Sequence, residues 1–377
     1  MDALLIRGGS VLTDTGFVST DLFARGGRIV AEPVAPAGAV VIDADGLFVA
    51  PGFVDVQING GWGHDFTTDP SSIGSVAAVL PATGVTAFLP TIVSSTRERR
   101  TAARRALAEL AHNAAAAVPL GLHFEGPMLA PTKVGAHDPT RLGPVDVDEL
   151  ASWSAATGVR MVTLAPEVPG ALTAIAGLVA AGVTVALGHT ACTADEFAAA
   201  RAAGASAVTH LFNAMAGFEH RAPGPVGATL ADPTVVAGLI CDGHHVDPIA
   251  VAMAWRALGP RRTMLVTDAV AALGVEPGSE VPLGSQPIER GDHGVRTAEG
   301  VLAGSDLSMD AAVRNLVRFT GCTAAEALAC ASRVPAALLG LADRGRLAAG
   351  TRADVVLLDT DLRVTTTIVA GRVAWKS

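Results

Sequence analysis

Glu125, His189, His210 and Asp268 stand where four apolar runs stop: "GLHF" leads to Glu125, "VALG" to His189, "AVT" to His210 and "MLVT" to Asp268. Two neutral imidazoles and one carboxylate are a common three-ligand shell for a catalytic divalent cation, zinc first among them, with one coordination position left open. Asp268 is then a fourth group beside that open position, placed to take a proton from water. Each residue also has a plain structural reading. A lone histidine at a strand end more often satisfies a hydrogen bond than binds a metal. Glu125 precedes Gly126-Pro127 and can anchor that turn, and Asp268 can cap a following helix. Four such coincidences in one chain are less expected than one metal site.

The stretch "VDVQING" (54–60) raises a related question. Val54, Val56 and Ile58 alternate with Asp55, Gln57 and Asn59, so a strand sends the three polar residues to one face. In metal-dependent hydrolases built on a barrel, this position often carries two histidines spaced His-x-His. Here the spacing is present and the imidazoles are not. Neutral amides bind zinc poorly, so the sequence predicts a single ion and none, or a weakly held one, at Gln57 and Asn59. The bland alternative is that both amides satisfy backbone groups. His64, His112, His123, His220 and His293 lack comparable support and read as surface or hydrogen-bonded histidines.

The elements that must position these residues follow a clear period. Eight short apolar runs, "GFVDVQIN", "TAFLPTIV", "LGLHFEG", "RMVTLAPE", "VTVALGHT", "AVTHLFN", "VAGLICDG" and "TMLVTDA", alternate with Ala-rich, helix-like segments. Strands alternating with helices make parallel βαβ units, and eight of them predict an α/β fold, a closed (β/α)8 TIM barrel with its site at the carboxyl ends of the strands. Residues 1–50 and 345–377 read as strand and turn without helices. Neither piece can bury a face alone, so the two termini are expected to form one small β-sandwich flanking a catalytic barrel of residues 51–344. The Gly- and Pro-rich stretch near 275–305 reads as a hairpin-containing loop after the eighth strand, and "LAGSDLSM" as a capped helix start.

With 377 residues, half of them hydrophobic, the chain can bury a large core. A net charge of -9 argues against a general nucleic-acid surface. The one basic run, Arg97, Arg99, Arg100, Arg104 and Arg105, is interspersed with Glu98 and Glu109 and reads as a solvated helix face. Four cysteines without a CxxC pair fit reduced thiols and a cytoplasmic protein. The N-terminus does not read as a secretory signal. Residues 171–188, the most apolar stretch, split into a helix, a stop at Gly182 and a strand, so no membrane span is expected.

The ordered set of "PGFVDVQING", "LPTIVS", "GLHFEGP", "GAHDP", "TLAPE", "GHT", "THLFNAM", "DGHHVD", "VTDA" and "LAGSDLSM" resembles the N-acetylglucosamine-6-phosphate deacetylases of the amidohydrolase superfamily. The resemblance implies hydrolysis of N-acetyl-D-glucosamine 6-phosphate to D-glucosamine 6-phosphate and acetate. It implies Glu125, His189 and His210 as ligands of one divalent ion per subunit, zinc first, with Fe2+ or another divalent ion as the alternative. Asp268 is implied as the acid/base, and His137 as the group that polarises the acetyl carbonyl. Ala136, His137, Asn213, Ala214, His245 and the Leu302-Ala303-Gly304 loop are implied as substrate contacts. Arg221 is implied to reach the sugar phosphate from the partner subunit of a homodimer. "MLAPTK" (128–133) is unusual beside the family pattern and bears on substrate preference. The competing readings are an amidohydrolase for another N-acyl sugar or a cyclic amide, and a catalytically inert scaffold.

Overall fold

The computed structural model describes residues 3–31, 38–111 and 113–377; His112 lies outside the described residues. Eight parallel strands form its centre in chain order: β1 (Phe53–Ile58), β2 (Val85–Ile92), β3 (Leu122–Glu125), β4 (Val159–Leu164), β5 (Thr184–Leu187), β6 (Ala207–Val208), β7 (Val236–Leu239) and β8 (Thr263–Leu265). Each pairs in parallel with its sequence neighbour. The chain after β8 returns to β1 through a parallel bridge between Ile58 and Ala269, with the Asp268 N–H donating to the Gln57 carbonyl at 2.9 Å. This closes the (β/α)8 barrel that the eight apolar runs predict. Parallel neighbours need crossovers, and helices such as Arg97–Ala108, Ala171–Ala180 and Pro248–Leu258 supply them. Residues 171–188 divide as expected, with Gly182 at φ 77° between helix and strand. No helix among the described residues is long and apolar enough to cross a membrane.

The basic run corrects one expectation. On the helix Arg97–Ala108, Arg100 is not solvated: it is buried and donates two hydrogen bonds to Glu149, at 2.8 and 2.6 Å. Arg104 bonds Ser152, Arg105 bonds Glu109, and Arg97 lies 3.6 Å from Asp146. Arg97, Arg100 and Arg104 tie this helix to residues 146–152, which charge spacing alone does not reveal, while Arg105 pairs within its own helix on the solvated face as expected.

Period-two alternation decides what faces the barrel axis. On β3, Phe124 packs outward on Trp153, with ring centroids 4.6 Å apart, while His123 and Glu125 share the inner face. His123 is fully satisfied: Nδ1–H donates to the Val56 carbonyl at 3.0 Å, and Nε2 accepts from the Thr163 hydroxyl at 2.8 Å. Burial pushes its pKa down to about 4, so it sits as a neutral structural histidine below the mouth. Asp55 is buried in the same interior, bonded at 2.5 Å by the Thr267 hydroxyl, and burial raises its carboxyl to about 7.

Two sheets from the chain ends flank the barrel. One has four strands, in the order Arg28–Val30, Leu22–Arg25, Ala3–Arg7, Val40–Asp43. The other interleaves both termini: Val355–Leu358 pairs antiparallel with Phe48–Pro51, which pairs with Ser10–Thr13. Leu4, Ile6, Val11, Val49, Val355 and Ile368 form the apolar layer between them. After β8 the chain makes a three-stranded antiparallel sheet (Glu280–Leu283, Gln286–Gly291, Gly294–Thr297), the expected hairpin insertion. Its inner face packs on Val93, Val270 and Ala303. The following helix, Met309–Thr320, starts at Ser308 as expected, but the hydroxyl donates to Asp310 at 2.6 Å and makes no side-chain cap.

Candidate active site

Three side chains converge at the carboxyl ends of β3, β5 and β6. Glu125 Oε1 lies 3.2 Å from His189 Nε2 and 3.0 Å from His210 Nε2, and the two nitrogens are 3.2 Å apart. Among the described residues this is the one group of three such side chains with converging ligand atoms. His189 and His210 leave their strands with φ of 49° and 29°, and Asp268 has φ 50°. Left-handed backbone at three non-glycine strand ends costs roughly 1–3 kcal/mol each and turns the side chains into the mouth.

The hydrogen bonds around the trio fit a cation. His189 Nδ1–H donates to the Lys133 carbonyl at 2.9 Å, which fixes the tautomer and leaves the Nε2 lone pair aimed inward. Two imidazole lone pairs and a carboxylate oxygen facing one another repel unless a positive charge lies among them. Ligands at about 2.0–2.1 Å from zinc stand roughly 3.3 Å apart, close to the spacing here. Burial works against ionisation of Glu125, but the two imidazoles beside it favour its charged form and hold the carboxyl well below its usual range.

Gln57 and Asn59 do more than satisfy backbone groups. Gln57 Nε2 donates to Glu125 Oε1 at 3.2 Å and to Asp268 Oδ1 at 3.1 Å, and Asn59 Nδ2 donates to Asp268 Oδ1 at 2.8 Å. Both amides thus turn their NH2 groups toward the carboxylates, and the neutral amide oxygen left to each is a weak ligand for zinc. Asp268 is thereby fixed beside the trio, and burial, then the Glu125 charge, raises its carboxyl to about 6. His137 faces the trio from the other side, with Nε2 3.8 Å from Glu125 Oε2. The Ser94 N–H donates to His137 Nδ1 at 3.3 Å, and the Ser94 hydroxyl lies 2.9 Å from the same atom. Nδ1 is therefore an acceptor, and the neutral ring, whose pKa burial lowers to about 3, presents Nε2–H to the site.

A cavity of about 220 Å³ opens over this cluster, lined by Glu125, Ala136, His137, His189, His210, Asn213, Ala214, His245, Asp268, Leu302 and Gly304. His245 is held by a 2.6 Å bond between Nδ1 and Asp242. Ala303 packs instead into the apolar cluster under the hairpin insertion. Arg221 is exposed, at the tip of a tight loop closed by the Glu219 and Ala222 backbones, and does not line this chain's own cavity. "MLAPTK" does not line it either: Met128, Leu129 and Ala130 are buried, and Ala130 N–H donates to the His189 carbonyl at 2.9 Å. Sequence reasoning missed Ser94, Lys133 and Asp242, each of which holds a histidine. Ser94 and Asp242 left a trace, as the polar residues that stop the apolar runs of "LPTIVS" and "VAGLICDG".

A closed parallel barrel whose mouth gathers a carboxylate, two imidazoles and an adjacent buried aspartate defines a hydrolase of the metal-dependent barrel class. Residues 48–374 match the model of the amidohydrolase family. An N-acetylglucosamine-6-phosphate deacetylase of Bos taurus is 38% identical over 99% of this chain and 94% of its own length. An N-acetylgalactosamine-6-phosphate deacetylase of Escherichia coli O157:H7 is 37% identical, over 98% and 99%. The solved structure of an aspartate-to-alanine mutant of the Mycobacterium smegmatis N-acetyl-D-glucosamine-6-phosphate deacetylase, in complex with N-acetyl-D-glucosamine-6-phosphate, superposes with a TM-score of 0.89 at 36% identity, covering 99% of this chain and 100% of that one. The chain belongs to the amidohydrolase family and, within it, to the N-acetylglucosamine-6-phosphate deacetylases.

Proposed function

We propose that the chain hydrolyses N-acetyl-D-glucosamine 6-phosphate to D-glucosamine 6-phosphate and acetate, using one divalent ion per subunit, zinc or Fe2+, held by Glu125, His189 and His210. The observation that carries this reading is the convergence of those three ligand atoms between Asp268 and the Nε2–H of His137. The chemistry supplied by a divalent cation there is Lewis acidity, which makes water more acidic and draws charge from a carbonyl oxygen. Asp268, raised to about 6 and anchored by two amides, accepts the proton of the attacking water and returns it to the departing nitrogen. His137 donates Nε2–H to the carbonyl oxygen as negative charge builds on it. Gln57 and Asn59 hold the carboxylates in register and leave a single ion.

Asn213, Ala214, His245, Leu302 and Gly304 take the sugar phosphate, and Ala136 meets the substrate beside His137. The phosphate carries close to two negative charges near neutral pH, and Arg221 from the partner of a homodimer meets them. The exposed position of Arg221, beside Phe218 at 61% exposure, supports that arrangement. Four free, buried cysteines support a cytoplasmic setting. The antiparallel pairing of Phe48–Pro51 with Val355–Leu358 supports a division into a sandwich of residues 1–50 with 345–377 and a barrel of 51–344.

Acetate release after chelation and readdition of single divalent ions tests the reading. Activity is expected to vanish with the metal and return with zinc or Fe2+; turnover that survives complete chelation would overturn it. The Escherichia coli relative favours a second reading, the C4-epimeric galactosamine substrate, which a comparison of kcat/KM for the two sugar phosphates decides. A cyclic amide is disfavoured by Gln57 and Asn59 standing where a two-metal site needs histidines.

A further inference from the structure

Asn213 and His245 line the cavity, and so does an apolar wall, Val93, Ala136, Val270 and Leu283, which pack in one cluster. Val93 precedes Ser94, which holds His137, and Ala136 precedes His137 itself. Two wall residues therefore flank the donor assigned to the carbonyl oxygen. The alkyl group of the acyl unit is bonded to that same carbonyl carbon and cannot lie far from it. Val270 follows Asp268 by two residues, so the wall also borders the proton-transferring carboxylate.

We propose that Leu283 and Val93, with Ala136 and Val270, form the acyl subsite, and that Leu283 sets the longest N-acyl chain the enzyme hydrolyses. The inference rests on the deacetylase reading of the site. Leu283 belongs to the hairpin insertion, not to the barrel, yet it cannot retreat. The residues after it are tied down: Gly284 N–H donates to Asp65 at 3.2 Å, and the Ser285 hydroxyl donates to Asp138, the neighbour of His137, at 2.7 Å. Gly284 has φ 59°, and a Cβ there would stand 3.1 Å from Val93 Cγ2, so the turn is pressed against the wall. Behind it, Val281 and Ile288 fill the cluster that seats the sheet. A wall closed on both sides rejects added methylenes, each worth about 10- to 200-fold in a hydrophobic pocket.

The test compares kcat/KM for N-acetyl-, N-propanoyl- and N-butanoyl-glucosamine 6-phosphate in the parent and in Leu283→Ala, with metal content and melting temperature measured alongside. The butanoyl-to-acetyl ratio is expected to rise at least tenfold in Leu283→Ala. Leu283→Val, which removes one methylene and keeps the cluster filled, is expected to raise the propanoyl-to-acetyl ratio by a smaller factor and serves where the alanine variant does not fold. Ratios within twofold of the parent in a folded, metal-loaded variant overturn the acyl-subsite assignment. A parent that releases no acetate overturns the deacetylase reading instead, so the two failures are distinct.

Discussion

Asp268→Asn tests the base and the cost of carrying it in one variant. The amide is nearly isosteric, and its oxygen can keep the bonds from Asn59 Nδ2 and Gln57 Nε2, 2.8 and 3.1 Å long in the parent, so the side chain is expected to stay in place. What it loses is the ability to accept a proton. General-base catalysis is worth about 10²–10⁴ in rate, or roughly 3–5 kcal/mol, so turnover should drop by that factor while bound metal stays near one ion per subunit. The same substitution should stabilise the metal-free fold. Burial and the Glu125 charge raise the Asp268 carboxyl from 3.8 to about 6, which means the folded chain resists its ionisation more than the unfolded chain does. That contribution favours folding below pH 4, where the group is protonated in both states, and is lost as pH rises through 6. The loss is roughly 3 kcal/mol, from about two pKa units at 1.36 kcal/mol each. Urea melts of chelated protein should therefore find the asparagine variant more stable than the parent at pH 8, with the gap closing toward pH 4. Turnover within tenfold of the parent in the metal-loaded variant would remove Asp268 as the base. A stability gap independent of pH would refute the raised carboxyl.

Other substitutions separate the remaining roles. His137→Ala removes a single donor to the developing oxyanion and should lower kcat by about 10²–10³ with metal content unchanged; loss of the ion in this variant would make His137 a ligand instead. Arg221→Ala should raise KM for the 6-phosphate substrate by tenfold or more, as expected for a charge-assisted phosphate bond, and leave unphosphorylated N-acetylglucosamine unaffected. An equal effect on both sugars would take the phosphate away from this arginine. Gly304→Ala places a Cβ 2.2 Å from Val270 Cγ1 and 2.9 Å from the Asp268 carbonyl at φ 59°. It should cost on the order of 1–3 kcal/mol in denaturant melts and depress turnover by shifting Asp268, whereas a wild-type melt would show that the loop yields freely.

The sequence by itself determined the barrel and its ligand set. The barrel strands announce themselves through short apolar runs, and Glu125, His189, His210 and Asp268 are the polar groups that end four of them, because the carboxyl end of a barrel strand is where a polar side chain reaches the mouth. Alternation along "VDVQING" likewise put Asp55, Gln57 and Asn59 on one face. Tertiary structure alone decided what those residues do to one another. Gln57 reaches Asp268 across 211 positions of sequence, and Lys133 offers a backbone carbonyl to His189, a contact that no side-chain pattern encodes. Arg100 reads as a surface charge until the barrel's curvature brings Glu149 against it. Leu283 is an ordinary strand leucine until its hairpin folds back over the mouth and turns it into a wall of the cavity. Local periodicity fixes which way a side chain points; only the closure of the barrel and the docking of the hairpin fix what it meets, because those contacts join segments with no shared period.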